Sequence, residues 1–147
     1  EYANDVIKGR WSEAEPVIMK DPEWAYKYAL HVIGGRWCQA ESVIMEDPVL
    51  RVHWVYLYAK EVIRGRWPEA EPHIMKDPEH AYNYARCVIK GRWSEAEPYI
   101  MKDPHQAYNY ARYVIIGKLP EEWHNKMIMF AIADDDYWAK KYLEDFN

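Results

Sequence analysis

The stretch "GRWSEAEPYIMKDP" at residues 91–104 returns almost unchanged at 9–22 and 65–78, and in looser form at 35–48. Counted from its tryptophan, units open at Trp11, Trp37, Trp67, Trp93 and Leu119, at spacings of 26, 30, 26 and 26 residues. A unit of that size cannot bury an apolar face alone, so neighbouring copies must cover one another. The expectation is an all-α fold, an α-solenoid of 26–30-residue helix-turn-helix repeats stacked right-handedly, forming a single domain over 1–147. It divides into a partial repeat at 1–10, repeats at 11–36, 37–66, 67–92 and 93–118, and a C-terminal capping repeat at 119–147.

The second half of each unit reads as a helix. In "MKDPEWAYKYALHVIGG", Asp21 can act as N-cap, Pro22 suits the first helical position, and a glycine near the far end can close the helix. Ala25, Tyr28, Ala29, Val32 and Ile33 share one arc, with Tyr26 at its border, and this arc is the expected buried face. Small alanines allow a neighbouring helix to approach closely, while tyrosines bury their rings and keep their hydroxyls near water. The tyrosine pair recurs as Tyr56/Tyr58, Tyr82/Tyr84 and Tyr108/Tyr110, and a content of 13 Tyr and 8 Trp against 2 Phe suits a thin, surface-rich architecture.

The first half, "WSEAEPVIMK", predicts a shorter helix in which Ser12 and Glu15 form a capping box and Trp11 staples onto Pro16. That register would put Pro16 where it forfeits a backbone bond, so a later start or a 3₁₀ turn is the alternative. The longer unit carries four extra residues in "DPVLRVHWVYLYAKEVI", about one helical turn, which lengthens its second helix without rotating the apolar face. The opening "EYANDVIKGRW" joins the pattern halfway through a second helix, which implies a parent chain that extends further upstream or was trimmed. Asp134, Asp135 and Asp136 are expected to cap the final helix rather than to hold a cation.

The run "DPEHAYNYARCVIKGRWSEAEPYIMKDP" resembles a tandem repeat of uncharacterised proteins from tailed bacteriophages and prophages, and the resemblance covers nearly the whole chain. It implies a viral or prophage origin, a host-cell cytoplasmic location and a helical repeat fold. It carries no activity over to individual residues. The short period also resembles leucine-rich-variant and HEAT-like arrays in architecture, although the Tyr and Trp pattern departs from both.

The charges and special residues narrow the function. A formal charge of −5 and a pI near 5.7 weigh against a broad nucleic-acid footprint. Cys38 and Cys87 have neither zinc-ligand nor disulfide-scaffold spacing, which suits a reducing compartment. No apolar run is long enough to span a membrane, and neither a membrane partner nor a cofactor is expected. The six histidines form no H-x-x-x-H or H-E-x-x-H pattern, so no metal site is expected, and no nucleophile or phosphate-loop motif suggests catalysis. Trp11, Trp37, Trp67 and Trp93 read as packing staples. Arg10, Arg36, Arg66, Arg92 and Lys118 could form a cationic rail for phosphates, but ion pairs with the neighbouring glutamates between units are the simpler reading.

Positions that do not repeat are those free to read a partner. Three rows qualify: Trp24, Trp54, His80 and Gln106; Lys27, Leu57, Asn83 and Asn109; and Leu30, Lys60, Arg86 and Arg112. The expected function is a non-enzymatic scaffold that binds another protein, a host factor in a phage setting, through aromatic anchors. Two alternatives stand beside it: single-stranded nucleic-acid binding through an Arg/Tyr/Trp face, and a structural spacer that self-assembles end to end.

Overall fold

The computed structural model describes residues 9–46 and 48–146, and only the backbone for 48–51. The described residues are helix, turn, bend and irregular chain, with no strand. Four unit halves form short helices: α1 (Glu15–Ile18), α3 (Cys38–Ile44), α5 (Glu71–Ile74) and α7 (Glu97–Ile100). Alternating with them are the longer α2 (Pro22–Tyr28), α4 (Pro48–Leu57), α6 (Pro78–Tyr84) and α8 (Pro104–Tyr110). The chain ends with α9 (Glu121–Ala133) and α10 (Tyr137–Phe146). The partial repeat lies almost wholly outside the described residues, as does Asp47.

The Asp-Pro punctuation acts as expected. Asp21 accepts the Trp24 N–H at 3.1 Å, Asp77 accepts that of His80 at 2.9 Å, and Asp103 accepts those of His105 and Gln106. Each is followed by proline at the first helical position, where no N–H is required. Asp136 caps α10 in the same way, accepting the Ala139 N–H at 2.9 Å.

The first helices differ from the capping-box expectation. α1 begins only at Glu15, so Pro16 falls within its first turn, and no side chain caps it. Ser12 is not a cap because the Glu15 N–H it would accept goes to the Trp11 carbonyl at 3.1 Å, and the Glu15 carboxylate is taken by other partners, described below. Where the sequence has Ser42 in place of that proline, the N–H is restored and α3 runs for seven residues instead of four.

The second helices extend beyond their α-helical parts. Each continues as a π-helical segment: Ala29–Ile33, Tyr58–Ile63, Ala85–Ile89 and Ala111–Ile115. Each of these segments ends on a left-handed residue: Gly34 (φ 73°), Arg64 (φ 58°), Lys90 (φ 58°) and Ile116 (φ 57°). The left-handed turn thus falls one residue before the glycine that every unit carries, and in three of four cases on a residue with a side chain. The change of winding also breaks the regular helical arc. Ala25, Tyr26, Tyr28 and Ala29 are buried, but Val32 and Ile33, counted on the buried face at a constant angle per residue, are only half-buried. In the longer unit, α4 and its π segment gain one turn over α2 and its own, as expected.

The chain forms two compact units, one ending at Ile74 and the other beginning at Met75. The division falls inside the 67–92 repeat. In the first unit α2 packs on α1, α3 and α4, α4 packs on α3 and α5, and the π segments 29–33 and 58–63 touch. In the second unit α6 packs on α7 and α8, α10 packs on α8 and α9, and the π segments 85–89 and 111–115 touch. The alanines at 25, 29, 59, 81, 85, 107 and 111 are fully buried, so the helices meet where the sequence keeps side chains small. Met129 and Ile132 of α9, and Tyr137 at the start of α10, are exposed, so the α9–α10 pair does not present a wholly polar surface.

Candidate partner-binding surface

A polar clip repeats through the chain and decides which side chains are left over. Arg10 grips Glu15 with two bonds of 2.8 Å, Nε to Oε1 and Nη2 to Oε2. The Tyr28 hydroxyl donates to Glu15 at 3.1 Å and accepts the Trp11 N–H at 2.6 Å. Arg36, Glu41, Tyr58 and Trp37 form the same set, as do Arg92, Glu97, Tyr110 and Trp93. Arg66 holds Glu71 through two bonds of 2.7 Å. The carboxylates are buried, whereas the guanidiniums are about half-exposed.

The electrostatics follow from this geometry. The Arg10 guanidinium holds the Glu15 carboxyl below its ordinary value, aided by the Tyr28 hydroxyl and opposed by burial. Burial pushes the Tyr28, Tyr58 and Tyr110 hydroxyls up, so they remain proton donors at neutral pH. The capping repeat closes differently, with Tyr142 accepting the Leu119 N–H at 3.1 Å while its hydroxyl lies 2.9 Å from His124 Nδ1. Burial, with Lys118 nearby, holds the His124 imidazole below its ordinary value.

The tryptophans are packing residues, but their rings meet tyrosines of the preceding second helix where the expected staple named the proline of their own unit. Trp37, Trp67 and Trp93 are buried, each tilted over the tyrosine of the preceding second helix where described, with ring centres 5.1 Å apart for Tyr28–Trp37 and Tyr58–Trp67 and 5.0 Å for Tyr84–Trp93. The arginine rail is therefore tied to carboxylates five residues further along the chain.

The three non-repeating rows fare differently. Trp24 is 57% exposed, with Lys27 Nζ 5.0 Å from its ring centre and 2.6 Å from Glu23. Trp54, placed on the same row, lies on Tyr26 at 5.8 Å. Gln106 is buried at 8% exposure. His80 is half-buried, its Nδ1 2.8 Å from Asp77. Gln106 is thus withdrawn from the surface, and Trp54 is half-buried because α2 and α4 lie side by side and it faces back onto Tyr26. Trp138 of the capping repeat does the same, lying 5.5 Å from Tyr108 and stacking on His105 at 4.2 Å. Asn83 and Asn109 are half-buried.

Arg86 and Arg112 are exposed and converge on one ring. Arg86 Cζ lies 4.7 Å from the centre of Tyr113 and Arg112 Cζ 5.7 Å from it. Arg86 donates to the Tyr82 hydroxyl at 3.0 Å, and Arg112 donates to that of Tyr108 at 2.6 Å. Tyr113, which sequence reasoning passed over, is 46% exposed and completes the cluster. Its signal was a change of type, since the equivalent slot holds His31, Glu61 and Cys87 in the other units.

Among the described residues no three His, Cys, Asp or Glu side chains converge as a metal ion would require, and no helix is long and apolar enough to cross a membrane. No family model matches the chain, and no match was found among curated proteins or solved structures.

Proposed function

We propose that the chain is a helical-repeat scaffold without enzymatic activity, an α-solenoid whose role is to bind another protein. One observation carries this reading. The repeating arginines and the glutamates five residues after them are consumed by internal clips, while Trp24, with Lys27 over its ring, and Arg86, Arg112 and Tyr113 stand exposed at positions that vary from unit to unit. Exposed Trp, Tyr and Arg are the residue types that dominate binding energy at protein interfaces. On the phage resemblance, the partner is a host protein.

The same clips weaken the nucleic-acid alternative. Arg10, Arg36, Arg66 and Arg92 each pair with a carboxylate, which removes the run of uncompensated cations that a phosphate backbone needs. The test is capture from phage-infected or lysogenic cell extract on the immobilised chain, with nuclease treatment, followed by reconstitution with the purified candidate. A nuclease-resistant complex of fixed stoichiometry that reforms from purified parts is the expected result. Capture that disappears with nuclease, or that does not survive purification, would retire the reading.

A further inference from the structure

The tyrosines at 26, 56, 82 and 108 occupy one repeat slot, and those at 26, 82 and 108 do not meet the following unit in the same way. Tyr26 donates to the carboxylate of Glu61, and Tyr108 donates to that of Asp145 at 2.8 Å. Aligned by repeat, Glu61 and Asp145 share a slot, and for the unit after Tyr82 that slot holds Tyr113. No charge arrives there. Instead Arg86 donates to the Tyr82 hydroxyl and lays its guanidinium against the Tyr113 ring. Arg112 approaches the same ring from its own position, which keeps the two cations no more than about 10 Å apart. Arg112 already faces Asp145 at 3.4 Å. Arg86 has only Tyr82, Tyr113 and Cys87 around it, with no carboxylate in ion-pair reach among the described residues.

Tyr26 and Tyr108 therefore each have a carboxylate beside the hydroxyl, and Tyr82 offers the hydroxyl together with an exposed arginine. We infer that Arg86, backed by Tyr82 and Tyr113 and flanked by Arg112, is the docking point for an acidic segment of a partner protein, whose carboxylate plays the part that Glu61 and Asp145 play at their own tyrosines. This rests on the protein-binding reading above and names the chemistry of the partner. A guanidinium with one N–H committed to Tyr82 keeps its remaining donors for a planar carboxylate. Its stacking on Tyr113 restricts the side chain in advance, so less freedom is lost on binding. A nucleic-acid strand fits less well, because the other repeat arginine of this unit, Arg92, is already tied to Glu97, which leaves Arg86 and Arg112 as a compact pair of arginines and not a run of them.

The experiment is a fluorescence-anisotropy titration of the whole chain with a short labelled peptide of alternating Glu and Gly, at low and at about 0.15 M salt. Saturable binding is expected, with none to the matched Gln-Gly peptide. Arg86→Gln should weaken it about tenfold. Tyr113→Glu should abolish it, since the chain then supplies its own carboxylate, and should leave Tm equal to or above that of the parent, which reports an intact fold. Absence of binding to the Glu peptide, or binding unmoved by both substitutions, would overturn the assignment. A labelled oligothymidylate that binds more tightly and depends on Arg86 would pass the surface to nucleic acid. The titration needs no natural partner, so its failure beside a successful capture would retire this surface while the scaffold reading stands.

Discussion

Glu97 shows how a charged side chain comes to be a core residue. Its two oxygens take four donors: Arg92 Nε at 2.6 Å, Arg92 Nη2 at 3.0 Å, Tyr110 Oη at 3.2 Å and Trp123 Nε1 at 3.0 Å. A carboxylate has about four lone-pair sites, so the group is fully satisfied and its burial carries little residual cost. Glu97→Gln keeps the shape but turns one acceptor into a donor facing donors, and it should destabilise by roughly 1–3 kcal/mol in urea unfolding. The tryptophans divide at the same scale. Trp67→Ala should cost roughly 3–5 kcal/mol because the ring is buried, whereas Trp24→Ala should stay within about 0.5 kcal/mol of the parent. Equal losses at both positions would contradict the separation of packing and exposed rings.

The helices show where sequence pattern carries structural information and where it does not. The Asp-Pro starts and the alanine-tyrosine face were legible because a cap and a buried small residue each require a particular side chain. Glu15 was misread as half of a capping box because Ser-x-x-Glu fits that local motif, and only the fold brings Arg10 and Tyr28 to it. Trp54 and Gln106 show a related limit: a slot that varies between units looks free, although variation can equally mean that each unit packs it differently. The π segments had no signature at all, since the switch to a wider turn lies in the backbone. In each one an alanine carbonyl takes the closing N–H groups, as Ala111 does those of Ile116 and Gly117. Ile116 is the costliest closure, a β-branched residue at φ 57° with 81% of its surface exposed. Ile116→Gly should stabilise by about 1 kcal/mol, read from the denaturation midpoint. A loss would show that the side chain has a compensating role.

For the molecule as a whole, acid should act in two stages. His124 is held neutral in the fold and below its ordinary 6.5, so its contribution is complete above that pH and is lost as pH falls through the folded value. Glu15 is likewise depressed from 4.5, and its contribution declines in the more acidic range. A urea midpoint that is flat near pH 7, falls below about pH 6.5 and falls again below about pH 4.5 is expected. His124→Gln should remove the upper stage only.

The clip that joins Trp11, Glu15 and Tyr28 lies inside one copy, and its arginine sits just ahead of the tryptophan. A cut between Arg and Trp therefore parts two segments whose ends are interchangeable. Excising residues 67–92 would join Arg66 to Trp93 and set it five places before Glu97, the separation that Arg92 has now. Such a shortened chain should fold to a helical protein with an unchanged circular-dichroism signal per residue, whereas removal of only residues 54–66, about half a copy, would strand Glu71 without its arginine and should not. Unequal crossing-over in a gene of this kind can then add or delete copies without orphaning an acid, so copy number is free to drift while the chemistry of each copy stays whole.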